Sequence, residues 1–161
     1  MIANPSAVAP VIRDMRQHDV PRIAAIEREA YEFPWSPGIF RDCLLAGYTG
    51  LVEEYRGEVI AYAIMSVAAG EAHLLNLCVV ASCRRAGHAR KLLDAIIARA
   101  QQADAERMHL EVRPSNVAAL ALYASYGFER VGVRRHYYRA RTGSEDAVLL
   151  SRSLNRRRRR G

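Results

Sequence analysis

The stretch from Leu74 to Ala100 constrains the fold most: an apolar strand, the turn Arg84-Arg85-Ala86-Gly87-His88-Ala89, and then a helix. Ala89, Leu92, Leu93, Ile96, Ile97 and Ala100 recur at the i, i+3, i+4 spacing of one buried helical face. A strand that passes directly into an amphipathic helix belongs to a chain that mixes α and β. The turn between them reads as a phosphate cradle, because a helix start leaves backbone N–H groups outside the helical ladder with the positive end of the helix dipole behind them. Gly87 and Ala89 are small enough to let the backbone itself approach a ligand. Spacing alone leaves a second reading open, since many strand-to-helix turns carry Gly and Arg and bind nothing. Two rival phosphate motifs are missing. There is no G-x-x-x-x-G-K-[ST], and no G-x-G-x-x-G, because Gly87 is followed by no glycine until Gly127. This argues against a nucleoside triphosphate or NAD site.

With 161 residues the chain has the length of one domain, able to bury about 70% of its unfolded surface around a single core. We expect a loose N-terminus over residues 1–10, one folded domain over 11–154 and a disordered Arg-rich tail over 155–161. The net charge of +7 suggests nucleic acid until it is located: Arg156 to Arg160 supply five of those charges, leaving about +2 on the body. Such a run repels itself and offers no apolar face. It reads either as a contact for RNA or as a tolerated solvated tail. The second reading fits an arginine-biased chain in which Lys91 is the single lysine. No apolar run approaches the ~18 residues of a membrane helix, and residues 1–12 lack the pattern of a signal peptide, so a cytoplasmic location is expected. Cys43, Cys78 and Cys83 have no C-x-x-C spacing and read as reduced thiols. His18, His73, His88, His109 and His136 are scattered, so no metal site is expected.

Along the chain, Val11 to Met15 reads as a strand. A helix starts at His18-Asp19-Val20-Pro21, with Asp19 near its cap, and carries Ile23, Ala24, Ile26, Glu27 and Ala30. Ser36-Pro37 is a cap-then-proline start for a short helix to Leu45. Tyr48–Glu54 and Val59–Val67 form a hairpin across Arg56-Gly57, and His73–Val80 pairs next. The helix from Gly87 to Gln102 crosses over to Met108–Val112, which should lie parallel to the strand before it. Asn116 caps a helix that runs to Tyr126 and is closed by Gly127; strands near Phe128–Val133 and Ala147–Leu154 finish the sheet. The fold class is therefore α/β in the mixed sense, a largely antiparallel sheet with helices on both faces.

At this point the sequence resembles a known family. Arg84 to Ala89 is similar to the (Q/R)-x-x-G-x-(G/A) signature of the GCN5-related N-acetyltransferases (GNAT), whose turn holds the pyrophosphate of acetyl-CoA. Further stretches resemble the bacterial ribosomal-protein alanine N-acetyltransferases, the RimI group: Phe33-Pro34-Trp35-Ser36, Leu110-Glu111-Val112-Arg113-Pro114-Ser115-Asn116, Ala121-Leu122-Tyr123, Gly127-Phe128, Arg134-Arg135-His136-Tyr137-Tyr138 and Glu145-Asp146-Ala147. The resemblance covers nearly everything but the two tails. The chain departs from the group at Ala89, often glycine; at Val80-Ala81, often Asp-Pro; and at Cys83, often aromatic. The implied fold is the GNAT fold, a single twisted, mostly antiparallel sheet with one parallel central pair. The implied reaction is acetyl transfer from acetyl-CoA to the N-terminal alanine of ribosomal small-subunit protein S-eighteen, with no metal.

Acetyl transfer to an amine needs an unprotonated nitrogen, a polarised thioester carbonyl and a proton for the leaving thiolate. A peptide α-amine has a pKa of about 8, so only about a tenth is nucleophilic at neutral pH and a base helps. The resemblance makes Glu111 that base, and its apolar strand leads us to expect desolvation to lift its pKa; strict alternation would also permit a solvent-facing carboxylate. Tyr123 is the implied general acid, where its sequence context alone would suggest packing. The resemblance further implies cofactor contacts from the backbone of Leu77, Cys78 and Val79, from the turn residues Arg85, Ala86, Gly87, His88, Ala89 and Arg90, and from Asn116, whose capping role needs no ligand. Trp35, Arg134 and Tyr138 border the implied acceptor site, although Trp35 equally suits a core anchor. Glu32, Glu145 and Asp146 are the acidic candidates for an acceptor that begins Ala-Arg.

Overall fold

The structure, a computed structural model, describes residues 9–154. The N-terminal expectation over 1–8 and the Arg-rich tail, including Arg156 to Arg160, lie outside the described residues. The elements are β1 (Val11–Asp14), α1 (Val20–Ala30), α2 (Pro37–Leu45), β2 (Thr49–Tyr55), β3 (Glu58–Ala68), β4 (Glu71–Val79), α3 (His88–Gln102), β5 (Arg107–Val112), α4 (Val117–Ser125), β6 (Glu129–Arg139) and β7 (Ser144–Ser153). Seven strands form one sheet in the order β1-β2-β3-β4-β5-β7-β6. The β4–β5 pair is parallel, as the crossover through α3 requires, and β1–β2, β5–β7 and β6–β7 are antiparallel.

The described residues fall into two compact units. The first comprises residues up to Ile64 together with Asn76–Ile96, and the second Met65–Leu75 with residues from Ile97 onward. In the first, Val20, Ile23, Phe40, Leu51, Tyr62, Leu92, Leu93 and Ile96 are fully enclosed, each stabilising the fold by about 1.5–3 kcal/mol relative to exposure. The Arg56-Gly57 turn joins β2 to β3 with positive φ at both positions, 51° and 80°, which is the twist a two-residue hairpin needs. Ser36 Oγ accepts the Ile39 N–H at the start of α2, as its sequence predicts. Asp19 differs from expectation. It stands at the N-cap of α1, but its carboxylate makes no cap there. Arg13 grips it with two nitrogens at 2.8 and 2.9 Å, and the Arg16 N–H donates to it at 2.8 Å. A fork of five donors outcompetes a helix amide for a buried carboxylate.

Gly50, where β2 passes beside Met15, has no room for a side chain: an added Cβ would lie 2.9 Å from Met15 Cβ and 3.2 Å from Leu44 Cδ2. Gly50→Ala should therefore destabilise the protein by about 1–3 kcal/mol through overpacking; an unchanged denaturant midpoint would show that Met15 and Leu44 yield freely.

In the second unit, Met108, Leu110 and Val112 of β5 and Val148 and Leu150 of β7 point to one side and are buried with Ile97, Ala100 and Phe128. Strand β6 runs to Arg139, six residues past the predicted end. Its register with β7 shifts between Arg130 and Gly132 and again between Arg134 and Tyr138, and His136 adopts a φ of 55°. Bulges erase the period-2 signal on which strand prediction rests, and the mostly exposed β6 has little apolar alternation to read.

Candidate active site

The first unit carries the turn whose sequence reads as a phosphate cradle. After β4 a 3₁₀ turn over Ala81–Cys83 redirects the chain, and the Arg84 Nε–H donates to the Val79 carbonyl at 3.3 Å. Arg85 and Gly87 both take positive φ, 65° and 82°. A Cβ at Gly87 would meet nothing within 4 Å, so backbone conformation, with open space above it, is what glycine supplies. The first α3 bond in this region runs from the Lys91 N–H to the Gly87 carbonyl, which puts the amides of His88 and Ala89 ahead of the ladder at the positive end of a 15-residue helix. Arg84, Arg85 and Ala86 are exposed. These features fit a pyrophosphate bound by backbone N–H groups. The His88 side chain turns the other way: its Nδ1–H donates at 2.7 Å to Oε1 of Glu53, whose carboxyl is wholly enclosed. Glu53 Oε2 has no hydrogen-bond partner among the described residues.

The same unit holds a buried carboxyl that sequence reading passed over as part of an apolar helix face. Glu27 of α1 accepts the Tyr62 hydroxyl at 2.7 Å and the Asn76 amide at 3.0 and 3.1 Å, and the Trp35 backbone N–H also donates to it. Burial pushes its pKa above the ordinary value despite these donors. Glu27 thereby ties α1 and the Trp35 loop to Asn76, the residue that leads into Leu77, Cys78 and Val79. The Tyr31 hydroxyl reaches the Leu77 carbonyl at 3.4 Å, and burial raises the Cys78 thiol. Trp35 lies 5.3 Å from the Phe40 ring, which stands edge-on to Tyr62 at 5.6 Å; part-buried, it anchors its loop.

In the second unit Glu111 projects from β5 on the face opposite Leu110 and Val112. The His73 Nε2–H of β4 donates to its Oε2 at 2.5 Å. The sequence leads to an expectation of a raised pKa, and the structure gives the reverse. The His73 hydrogen bond outweighs desolvation and, with the charges of His73 and Arg134, holds the carboxyl below its ordinary value. A group in that state is ionised at neutral pH, as an unshifted carboxyl would be, and any proton it accepts from the acceptor must be passed on quickly, because the lowering makes it a weaker base. Arg134, predicted beside the acceptor, is exposed with its guanidinium 4.9 Å from the Tyr137 ring centre. Tyr138 is half-buried; Arg113 stacks on it at 4.4 Å, and burial, then the Glu111 charge, raises its phenol.

Tyr123 of α4 is 7% exposed and packs edge-on against Phe128 at 5.6 Å. Desolvation, then the neighbouring Tyr138, raises its phenol, so it stays protonated at any working pH. Asn116 Oδ1 accepts the Ala119 N–H at 3.1 Å and caps α4, as expected. Two acidic candidates are engaged by their own chain. Glu145 accepts from Arg113 at 3.2 Å and from the Ser115 N–H at 3.0 Å, and Asp146 accepts the His136 N–H at 3.0 Å. Among the described residues no group of three metal-ligating side chains exists, the three cysteines are free, and no helix is long and apolar enough to cross a membrane.

Residues 20–128 match the model of the acetyltransferase (GNAT) family. The ribosomal protein bS18 alanine N-acetyltransferase of Escherichia coli strain K12 is 36% identical over 140 residues, which cover 87% of this chain and 95% of that protein. The protein of the same name from Haemophilus ducreyi is 36% identical over 142 residues, 88% of this chain and 98% of its own. Among solved structures, the Escherichia coli ribosomal-protein alanine N-acetyltransferase superposes with a TM-score of 0.86 at 34% identity, covering 92% of this chain and 96% of that one. Arabidopsis thaliana NAA60 in complex with acetyl-CoA shares the fold, with a TM-score of 0.83 at 16% identity over 92% of this chain and all of that one, 100%.

Proposed function

We propose that this chain, which belongs to the acetyltransferase (GNAT) family as an N-acetyltransferase of its RimI-like branch, acetylates the N-terminal alanine α-amine of ribosomal protein bS18 with acetyl-CoA as donor. The observation that carries the reading is Glu111, a half-buried carboxylate kept ionised by the His73 hydrogen bond. Acetyl-CoA supplies a thioester carbonyl as the acyl source. The amides at His88 and Ala89, with Arg85, Ala86, Gly87 and Arg90, are the groups to hold its pyrophosphate, and the backbone of Leu77, Cys78 and Val79 suits its amide-bearing arm. Asn116 is a further contact in this reading. Glu111 removes a proton from the acceptor nitrogen as that nitrogen bonds to the carbonyl carbon. The C–S bond breaks, and Tyr123, whose phenol keeps its proton, protonates the leaving sulfur. Trp35, Arg134 and Tyr138 orient the acceptor. The cytoplasm, where ribosomal proteins are made, is the place for this reaction, and contact of Arg156 to Arg160 with ribosomal RNA completes the reading.

The test pairs two peptides with acetyl-CoA: one with the native bS18 N-terminus, the other with that amine blocked and a lysine free. A mass gain of one acetyl group on the first alone is the expected outcome. Gain on both would widen the acceptor class, and gain on neither, with acetyl-CoA bound, would leave a binding module.

A further inference from the structure

Strands β4 and β5 run parallel with Glu71 opposite Arg107 and His73 opposite His109. By the two-residue period of a strand, Glu71, His73, Arg107, His109 and Glu111 all stand on one face. Two imidazoles in register there have a single half-buried carboxylate, Glu111, ahead of them. The contacts resolve that competition. His109 bonds back to Glu71, and His73 bonds forward to Glu111. Both contacts take the same diagonal, from a β4 residue to the β5 residue two beyond its register partner. Exposure rises away from the base: Glu111 is 14% exposed, His73 36%, His109 38% and Glu71 55%. The ladder therefore runs from solvent to the base, with each imidazole committed to one carboxylate.

We propose that His73 is a positioning residue for the acyl-transfer base: its Nε2–H clamps Oε2 of Glu111, which leaves Oε1 as the oxygen that meets the acceptor amine, while Glu71 keeps His109 from taking that place. The inference rests on the reading of Glu111 as the base. A carboxylate on a free rotor samples several orientations, and one hydrogen bond from a strand neighbour removes most of them. The other charged or titratable groups around this carboxylate are Arg107 on β5, Arg113 just past its end, Arg134 and Tyr138 on β6, and Glu145 on β7. Of these, Arg134 helps the clamp keep Glu111 ionised, Arg107 is taken by Ser151 at 2.9 Å, and Glu145 by Arg113.

The test uses the full chain, acetyl-CoA and the alanine-first peptide, with His73→Leu, His73→Gln and Glu111→Gln measured side by side. His73→Leu should lower kcat about tenfold with the KM for acetyl-CoA unchanged. His73→Gln, whose amide can donate from nearly the same point, should recover most of that loss. The pH profile adds a readout that simple loss of packing would not move. In the wild type, log kcat/KM should climb with pH below the amine's pKa of about 8. His73→Leu should steepen at the acid end, because Glu111 would keep its desolvation and lose the donor that counters it. A wild-type rate and slope for His73→Leu, or a His73→Gln as slow as His73→Leu, would overturn the inference. Glu111→Gln separates the two failures. If it is slow while His73→Leu is normal, only the positioning role falls; if Glu111→Gln itself turns over normally, the base reading falls and takes this inference with it.

Discussion

Glu111→Gln should cut turnover by about a thousandfold while acetyl-CoA binds as before, because the amide keeps the shape of the side chain and loses its capacity to accept a proton. The size of the loss follows from what the site offers. Among the described residues, Glu111 is the carboxylate on this face of β5 that is both half-buried and held ionised, and the phenols of Tyr138 and of Tyr123 are raised and remain protonated. Steady-state rates together with acetyl-CoA binding by calorimetry check the prediction. Weakened binding in proportion to the lost rate would assign Glu111 to the structure of the unit rather than to chemistry.

The second large effect concerns stability. Glu27→Ala should cost about 3 kcal/mol, since it leaves the Tyr62 hydroxyl, the Asn76 amide and the Trp35 N–H without their shared acceptor in a buried place. In a chain of this size that lowers Tm by about 10 °C. The pH dependence carries a sign that separates Glu27 from Asp19. The Glu27 pKa is raised by burial, so between the ordinary carboxylate value and the raised one the folded chain holds a proton that the unfolded chain has shed. Stability therefore falls as pH rises through that window. Asp19 is lowered, chiefly by Arg13; its contribution is complete above the ordinary carboxylate value and is lost as pH falls through the lowered one. Urea titrations of Glu27→Gln across that range should show the falling component removed and the Asp19 component intact. An unaltered profile would mean that Glu27 is ionised in the fold and merely hydrogen-bonded.

Local chemistry was legible in the sequence and long-range side-chain pairing was not. Ser36, Asn116 and the Arg56-Gly57 turn declare themselves because a cap or a two-residue turn is decided within four residues. The apolar spacing of α3 announces a buried face, and the parallel β4–β5 pair follows from the crossover that α3 makes. The end of β6 was hidden by its bulges. Glu27 was hidden by the company it keeps: a carboxyl among Ile23, Ala24 and Ile26 signals a buried polar network, but its partners Tyr62 and Asn76 lie 35 and 49 residues away. His73 was hidden in the same sense. The histidines are scattered along the sequence, and whether one of them meets Glu111 depends on a register that no single strand specifies. For the same reason burial alone misjudged the direction of the Glu111 shift: the strand's apolar character is local, and the donor that reverses it is 38 residues distant.

The amide of Lys91 closes the first bond of α3 onto Gly87, and its side chain is exposed. Every other basic side chain of the arginine and lysine class is a guanidinium, which stays protonated and resists acylation where an ammonium yields. A protein whose reaction consumes amines thus carries one side-chain amine of its own, two residues past Ala89 in the turn proposed to hold its donor. Any slow chemical acetylation of side-chain amines in stored protein therefore has a single address.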